Sequence, residues 1–157
     1  MILVCRDLQR GEIARYDIQR ASSNAAVYLL EADLASHTSI HRLAQAFQGQ
    51  FQQLHVLVNN AGVIKVHRTE TPDGLEMTFA VNHLVLFLLA HLLLPMLQNG
   101  APSGIVNVSS KVHRWGQLTL TICRASSATT EVRHTISPSW PTCCSPTSWR
   151  AGLLHLV

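Results

Sequence analysis

Apolar residues in this chain fall into short runs separated by longer amphipathic stretches. Met1 to Cys5, Ala25 to Leu30, Leu54 to Val58 and Ile105 to Val108 are compact apolar runs of the strand type, each ending in polar residues. Between the first two, Leu8 to Ser22 reads as a helix rich in Arg and Gln. Between the next two, Ile40, Leu43, Ala44, Phe47 and Phe51 form the stripe of an amphipathic helix. Thr71-Pro72-Asp73 then predicts the start of a long helix, with Thr71 as cap and proline in the first turn. It runs to about Gln98 and stops at Asn99-Gly100. Ile105 to Val108 is the last strand that the pattern supports.

Strands alternating with helices predict parallel βαβ units, hence an α/β doubly wound sheet with helices on both faces. In such sheets a ligand lies beyond the carboxyl ends of the strands. Arg6, Asp33, Asn59 to Gly62 and Ser110 all fall at such ends, so one shared site explains them better than four unrelated turns.

The pattern breaks at Thr119. From there to Val157, 13 of 39 residues are Ser or Thr and Glu131 is the sole acid; Pro138, Pro141 and Pro146 lie there too. The organisation expected is therefore an ordered domain over residues 1–118 and an irregular tail over 119–157.

Composition narrows the function classes. A net charge of +3, scattered along the chain, does not make the basic stripe of a nucleic-acid binder. Cys5, Cys123, Cys143 and Cys144 match no zinc spacing. His37 and His41 stand four apart, but Thr38 follows the first where a zinc-protease helix needs glutamate, so no metal is expected. The apolar run Leu84 to Leu97 is about 14 residues, short of the ~20 of a bilayer span, and contains His91 and Pro95. With no leader apparent, a cytoplasmic location is the default expectation.

Three segments then carry a resemblance: Val58-Asn59-Asn60-Ala61-Gly62, Phe79-Ala80-Val81-Asn82-His83-Leu84, and Ile105-Val106-Asn107-Val108-Ser109-Ser110. Their order and spacing resemble successive motifs of the short-chain dehydrogenases/reductases. Val4-Cys5-Arg6-Asp7 and Lys111 to Gly116 resemble the retinol dehydrogenase branch in particular. The resemblance covers residues 1–118. It implies a Rossmann-like sheet, NADP(H) as cofactor, and hydride transfer to or from a small hydrophobic alcohol or carbonyl such as a retinoid. By the same resemblance Asn60, Ala61 and Gly62 pack against the adenosine and ribose, Arg6 lies near the 2′-phosphate, and Asp33 lies beside the adenine. Asn82 bends its helix and holds a relay water, and Ser110 hydrogen-bonds the substrate oxygen. Each also has a plainer reading: an Asn-Gly-type turn, a solvated Arg6, a helix-capping Asp33, a locally satisfied Asn82, and a turn or cap serine at Ser110.

The chain departs from the family at Val85, where relatives favour glycine, and at Gly104, where a basic residue is usual. Two absences weigh more. No Gly-x-x-x-Gly-x-Gly turn is present to bring a pyrophosphate to a helix N-terminus. No tyrosine precedes a lysine by four residues: the tyrosines are Tyr16 and Tyr28. That pair supplies the family's general acid/base, the lysine lowering the tyrosine pKa. The resemblance aligns Met1 to Cys5 with the family's second strand. The first strand is thus missing from the sheet centre, and the equivalents of Met1–Cys5 and Leu54–Val58 are expected to face each other with open edges.

Shifting the reading frame explains the tail. Codons built from the last base of one residue and the first two of the next permit, over Ser139 to Leu153, the amphipathic string Leu-Ala-Asn-Leu-Leu-Phe-Thr-Asn-Glu-Leu-Ala-Arg-Arg-Leu after a lysine. Upstream they permit Tyr-x-Gln-Ser-Lys, which resembles the family's active-site helix. Residues 119–157 therefore read as a frameshifted tail. The expected function is oxidoreductase by descent, inactive in this form. The alternatives are a non-catalytic partner that docks on a full-length relative through the helix 72–98, and an unstable product.

Overall fold

Asp7 ends the first strand and starts the first helix. In the computed structural model, which describes residues 1–65, 67–109 and the backbone of 154–156, β1 (Ile2–Cys5) runs into α1 (Leu8–Ser22). The Asp7 carboxylate accepts the Gln9 and Arg10 N–H groups at 3.0 and 3.2 Å, satisfying amides that a helix start leaves open. Gly11 lets α1 lie close on the sheet. A Cβ there would collide with Cys5 Sγ and come within 2.8 and 2.9 Å of the Leu29 methyls.

The next unit is β2 (Tyr28–Glu31) and α2 (His37–Gln50), whose N-cap is Ser36. Ile40, Leu43, Ala44 and Phe47 are buried as the sequence stripe requires. They meet Leu57 and Leu89, both wholly inaccessible, in the main core. Such side chains contribute ~1.5–3 kcal/mol each when fully buried. β3 (Val56–Asn59) follows.

The long helix expected from Pro72 departs from its sequence reading at both ends. Residues 69–77 form a small hairpin instead of a first helical turn. Glu70 bridges Glu76, the Thr71 N–H donates to the Leu75 carbonyl at 2.8 Å, and Gly74 takes a φ of 76°, open to glycine without steric cost. Thr71 caps this turn, its hydroxyl accepting the Leu75 N–H at 3.2 Å. Asp73 reaches across to accept the His37 N–H at 2.8 Å, at the start of α2. The helix itself starts later: Glu76 caps α3 (Met77–Phe79), which passes through a π-helical turn at Ala80–Leu84 into α4 (Val85–Leu92). It breaks at Leu93 before α5 (Leu94–Asn99), because Pro95 has no N–H to continue the ladder. Asn99-Gly100 ends it where expected. Gly100 has an ordinary φ of −90°, so its need is for space: a Cβ would run into the Leu54 backbone. Val85 is buried in the core, and Gly104 opens to solvent, so both departures from the family pattern are accommodated.

β4 (Gly104–Asn107) pairs in parallel with β3, and β1 pairs in parallel with β2. The expectation of two open edges at the centre is corrected. β5 (Leu154–Leu156) lies between β1 and β3, antiparallel to both, giving the order β2-β1-β5-β3-β4. The open N–H and C=O groups of two buried strands need partners, and an extended segment from the chain's end supplies them. The strand also corrects Ile105 to Val108 as the last strand. Met1–Val108 and the strand 154–156 belong to one compact unit. Ser110, the residues whose shifted frame permits Tyr-x-Gln-Ser-Lys, and most of residues 119–157 lie outside the described residues.

Candidate functional site

Because β1 to β4 run in parallel, their carboxyl ends open on one side of the sheet, and the sequence-predicted residues gather there. Arg6 follows β1, Asp33 follows β2, and Asn60, Ala61 and Gly62 follow β3. Arg6 is exposed and forms no ion pair among the described residues. Asp33 is half-buried and structurally engaged. Its carboxylate accepts the Ala35 N–H at 3.0 Å, while its own N–H donates to Ser39 Oγ at 2.8 Å. That geometry matches the turn-forming role weighed for it, leading into a helix that Ser36 caps.

Asn82 sits in the π-helical turn and is exposed, although its neighbours Phe79, Val81 and Leu84 are apolar. The wider turn presents it to the β3 loop. Its Oδ1 accepts the Val63 N–H at 2.8 Å and its Nδ2 donates to the Val63 carbonyl at 2.7 Å. Gly62 lies against the same side chain, where a Cβ would be 3.6 Å from Asn82 Oδ1. The helix and the loop of the first two motifs are thus one structural piece.

Asn107, not among the residues read as site members from the sequence, joins the site through Asn59. Asn59 is only 1% exposed, and its Nδ2 donates to Asn107 Oδ1 at 2.7 Å, linking the last paired residues of β3 and β4. Among the described residues its Oδ1 has no partner. Both asparagines lie in the recognised motifs, so the signal was on the page; the parallel register that sets them side by side was not. Cys5, at the end of β1, is not an activated thiol. Burial pushes its pKa up, outweighing the lowering effect of its hydrogen bond to the Asp7 carbonyl. Among the described residues no cluster of His, Cys, Asp or Glu could hold a metal.

A dinucleotide needs a place for its pyrophosphate. Among the described residues the loop after β3 is formed, and no glycine-rich cradle accompanies it. At the β1–α1 turn the Gln9 and Arg10 amides, which could meet a phosphate, are held by the Asp7 carboxylate. A second anion there is opposed by charge as well as by lost donors. At the sheet centre β5 runs antiparallel, so its carboxyl end points to the other side of the sheet.

The chain matches the family model of the short chain dehydrogenases over residues 1–130. It is 46% identical over 116 residues to retinol dehydrogenase 11 of Mus musculus, covering 74% of this chain and 37% of that protein. It is 43% identical over 116 residues to retinol dehydrogenase 12 of Bos taurus, covering 74% of this chain and 37% of that protein. Among solved structures, the short-chain dehydrogenase from Sphingobium yanoikuyae in complex with NADPH superposes with a TM-score of 0.58 at 26% identity, covering 71% of this chain and 44% of that one. The chain thus spans little more than a third of these retinol dehydrogenases. An α/β parallel sheet, the joined asparagine loop and helix, and a family match over most of the length lead to one conclusion: this chain belongs to the short-chain dehydrogenase family.

Proposed function

We propose that this chain is an incomplete oxidoreductase of the retinol dehydrogenase type, which retains the adenosine-side loop and the relay asparagine but does not itself transfer hydride. The parent activity is NADP-dependent interconversion of a small hydrophobic alcohol and its carbonyl. The observation that carries the reading is the occupation of the α1 amides by Asp7, beside Asn60 to Gly62 held in place by Asn82. These contacts support a nucleoside-side role for the loop, and the described α1 amides are not open to a phosphate. Without Tyr-x-x-x-Lys there is also no positioned acid/base, a loss of ~10²–10⁴-fold in rate by itself. Calorimetry with NADPH tests the reading. Binding weaker than about millimolar is expected, and a low-micromolar dissociation constant, or hydride transfer to a retinal-like aldehyde above the no-protein control, contradicts it.

A second reading has its own support. Phe79 and His83 stack at 5.2 Å and Phe87, one helical step further on, is 78% exposed. These residues make an aromatic ridge on the helix assigned to docking on a full-length relative. Co-purification with such a relative, lost on Phe87→Asp, supports this role; equal recovery of the wild type and the variant removes it.

A further inference from the structure

Asn99-Gly100 closes α5 and is pinned to the segment that leads into β3. The Leu54 N–H donates to the Met96 carbonyl at 2.9 Å, and the Gly100 N–H donates to the same carbonyl at 3.0 Å. Asn99 Nδ2 donates to the Gln52 carbonyl at 3.4 Å. Asn99 is exposed, whereas Gly100 is buried and has no room for a Cβ beside the Leu54 backbone. This seam lies just before β3 and β4, at the opposite end of the strands from the candidate site. The dipeptide also carries a chemistry of its own. Asn99 is the one asparagine in the chain followed by glycine, whose lack of a Cβ leaves its backbone N least hindered. In an open chain that N attacks the Asn99 side-chain carbonyl carbon. The new N–C bond closes a cyclic imide, the Cγ–Nδ2 bond breaks, and ammonia leaves with the proton of the Gly100 N–H. Water then opens the imide at either carbonyl, giving aspartate or isoaspartate. Nothing is oxidised, and water is the sole co-reactant.

We propose that Asn99-Gly100 is a self-modifying site gated by the fold: unreactive while the end of α5 is seated on Leu54, it loses ammonia when that seam opens, and the seam then does not re-form. Two features of the seated state oppose the reaction. Asn99 has the helical backbone of α5, which turns the following N away from its own side-chain carbonyl, and the Gly100 N–H is committed to Met96. Both are lost when the last turn frays, a local opening that leaves the rest of the sheet intact. The products do not fit the seam again. Either one lacks the Nδ2 donor to the Gln52 carbonyl and sets a carboxylate at a helix C-terminus, where negative charge is disfavoured. Isoaspartate also routes the main chain through its Cβ, adding a backbone atom where Gly100 already lies against Leu54. Repeated opening is thus converted into a permanent change. The inference rests on this seam alone and stands apart from the oxidoreductase reading.

The test incubates the full chain at mildly alkaline pH without denaturant, in guanidinium chloride below the unfolding midpoint, and fully unfolded. Peptide mapping by mass spectrometry follows the exchange of the Asn99 amide NH2 for OH, with aspartyl and isoaspartyl forms separated by chromatography. Asn99→Gln, which keeps a side-chain amide but closes the ring poorly, is the control. The expected result is conversion at Asn99 at least tenfold slower without denaturant than in the unfolded chain, rising with denaturant below the midpoint, and absent in Asn99→Gln. In the converted chain, hydrogen exchange at Leu54 and Gly100 should accelerate at least tenfold while exchange in β1 is unchanged. Equal conversion with and without denaturant removes the gate. A rate that ignores denaturant up to the midpoint places the reaction in the seated helix, or in the globally unfolded chain alone. Unchanged exchange at Leu54 after conversion shows that the seam re-forms. Each of these results, like an unfolded chain in which Asn99 stays intact, overturns the proposal.

Discussion

Asn82 grips the backbone of Val63 on both sides, accepting from its N–H at 2.8 Å and donating to its carbonyl at 2.7 Å. A side-chain amide offers a donor and an acceptor side by side, matching the N–H and C=O of a single residue. The pairing ties the loop after β3 to the π-helical turn, and the turn's extra width fits that use. Functional sites often carry such turns.

Replacing Asn82 should therefore loosen the loop before it unfolds the sheet. Asn82→Ala removes both bonds, each contributing ~0.5–1.5 kcal/mol net. Amide exchange at Val63 should accelerate at least tenfold while exchange in β3 changes little. Asn82→Asp keeps the acceptor but sets a carboxylate against the Val63 carbonyl, so it should resemble the alanine variant. Exchange at Val63 unchanged in both would show that the pairing does not hold the loop.

Two glycines should respond in opposite directions. Gly11→Ala drives a methyl into Cys5 Sγ and Leu29, and overpacking of this kind costs ~1–3 kcal/mol. Gly49 lies in α2 with nothing within 4 Å of a new Cβ, so Gly49→Ala should stabilise by ~0.5–1 kcal/mol through helix propensity. Urea midpoints compared on one preparation check both signs.

The Asp7 cap is separable from its charge. Asp7→Ala should cost ~0.5–2 kcal/mol, the usual loss at an N-cap, and Asp7→Ser should recover most of it. Equal stability of the alanine and serine variants in urea unfolding would mean that the two short hydrogen bonds to Gln9 and Arg10 do not stabilise α1.

Cys5 sets a pH dependence whose sign follows from its burial. The folded thiol's pKa lies above the ordinary 9.0, so the folded state holds its proton longer than the unfolded chain does. Its contribution to stability is complete below the unfolded value and is lost as pH rises towards the folded one. Unfolding measured between pH 7 and 10 should show a fall that is shallower in Cys5→Ala. Parallel curves would exclude this thiol as the source.

Much of this molecule was legible in its sequence because the relevant signals are local. The Leu8–Ser22 helix matches its sequence reading to the residue, and the Ile40 to Phe47 stripe is the buried face of α2. A strand-helix alternation leaves few ways to bury such faces besides a parallel sheet. The resemblance motifs likewise place Asn60 to Gly62 and Asn82 on the correct elements. Tertiary structure decided what depends on distant partners. Thr71-Pro72-Asp73 has the local marks of a helix start, yet pairing of residues 69–71 with 75–77 and the reach of Asp73 to α2 hold it as a turn. The neighbours of Asn82 are apolar, yet the π-helical turn carries it to Val63. Nothing in Leu154-His155-Leu156 alone marks a central strand. Its place is set by the unpaired edges of β1 and β3, with partners 97 to 154 positions away in sequence, whose backbone groups must bond once their side chains are buried.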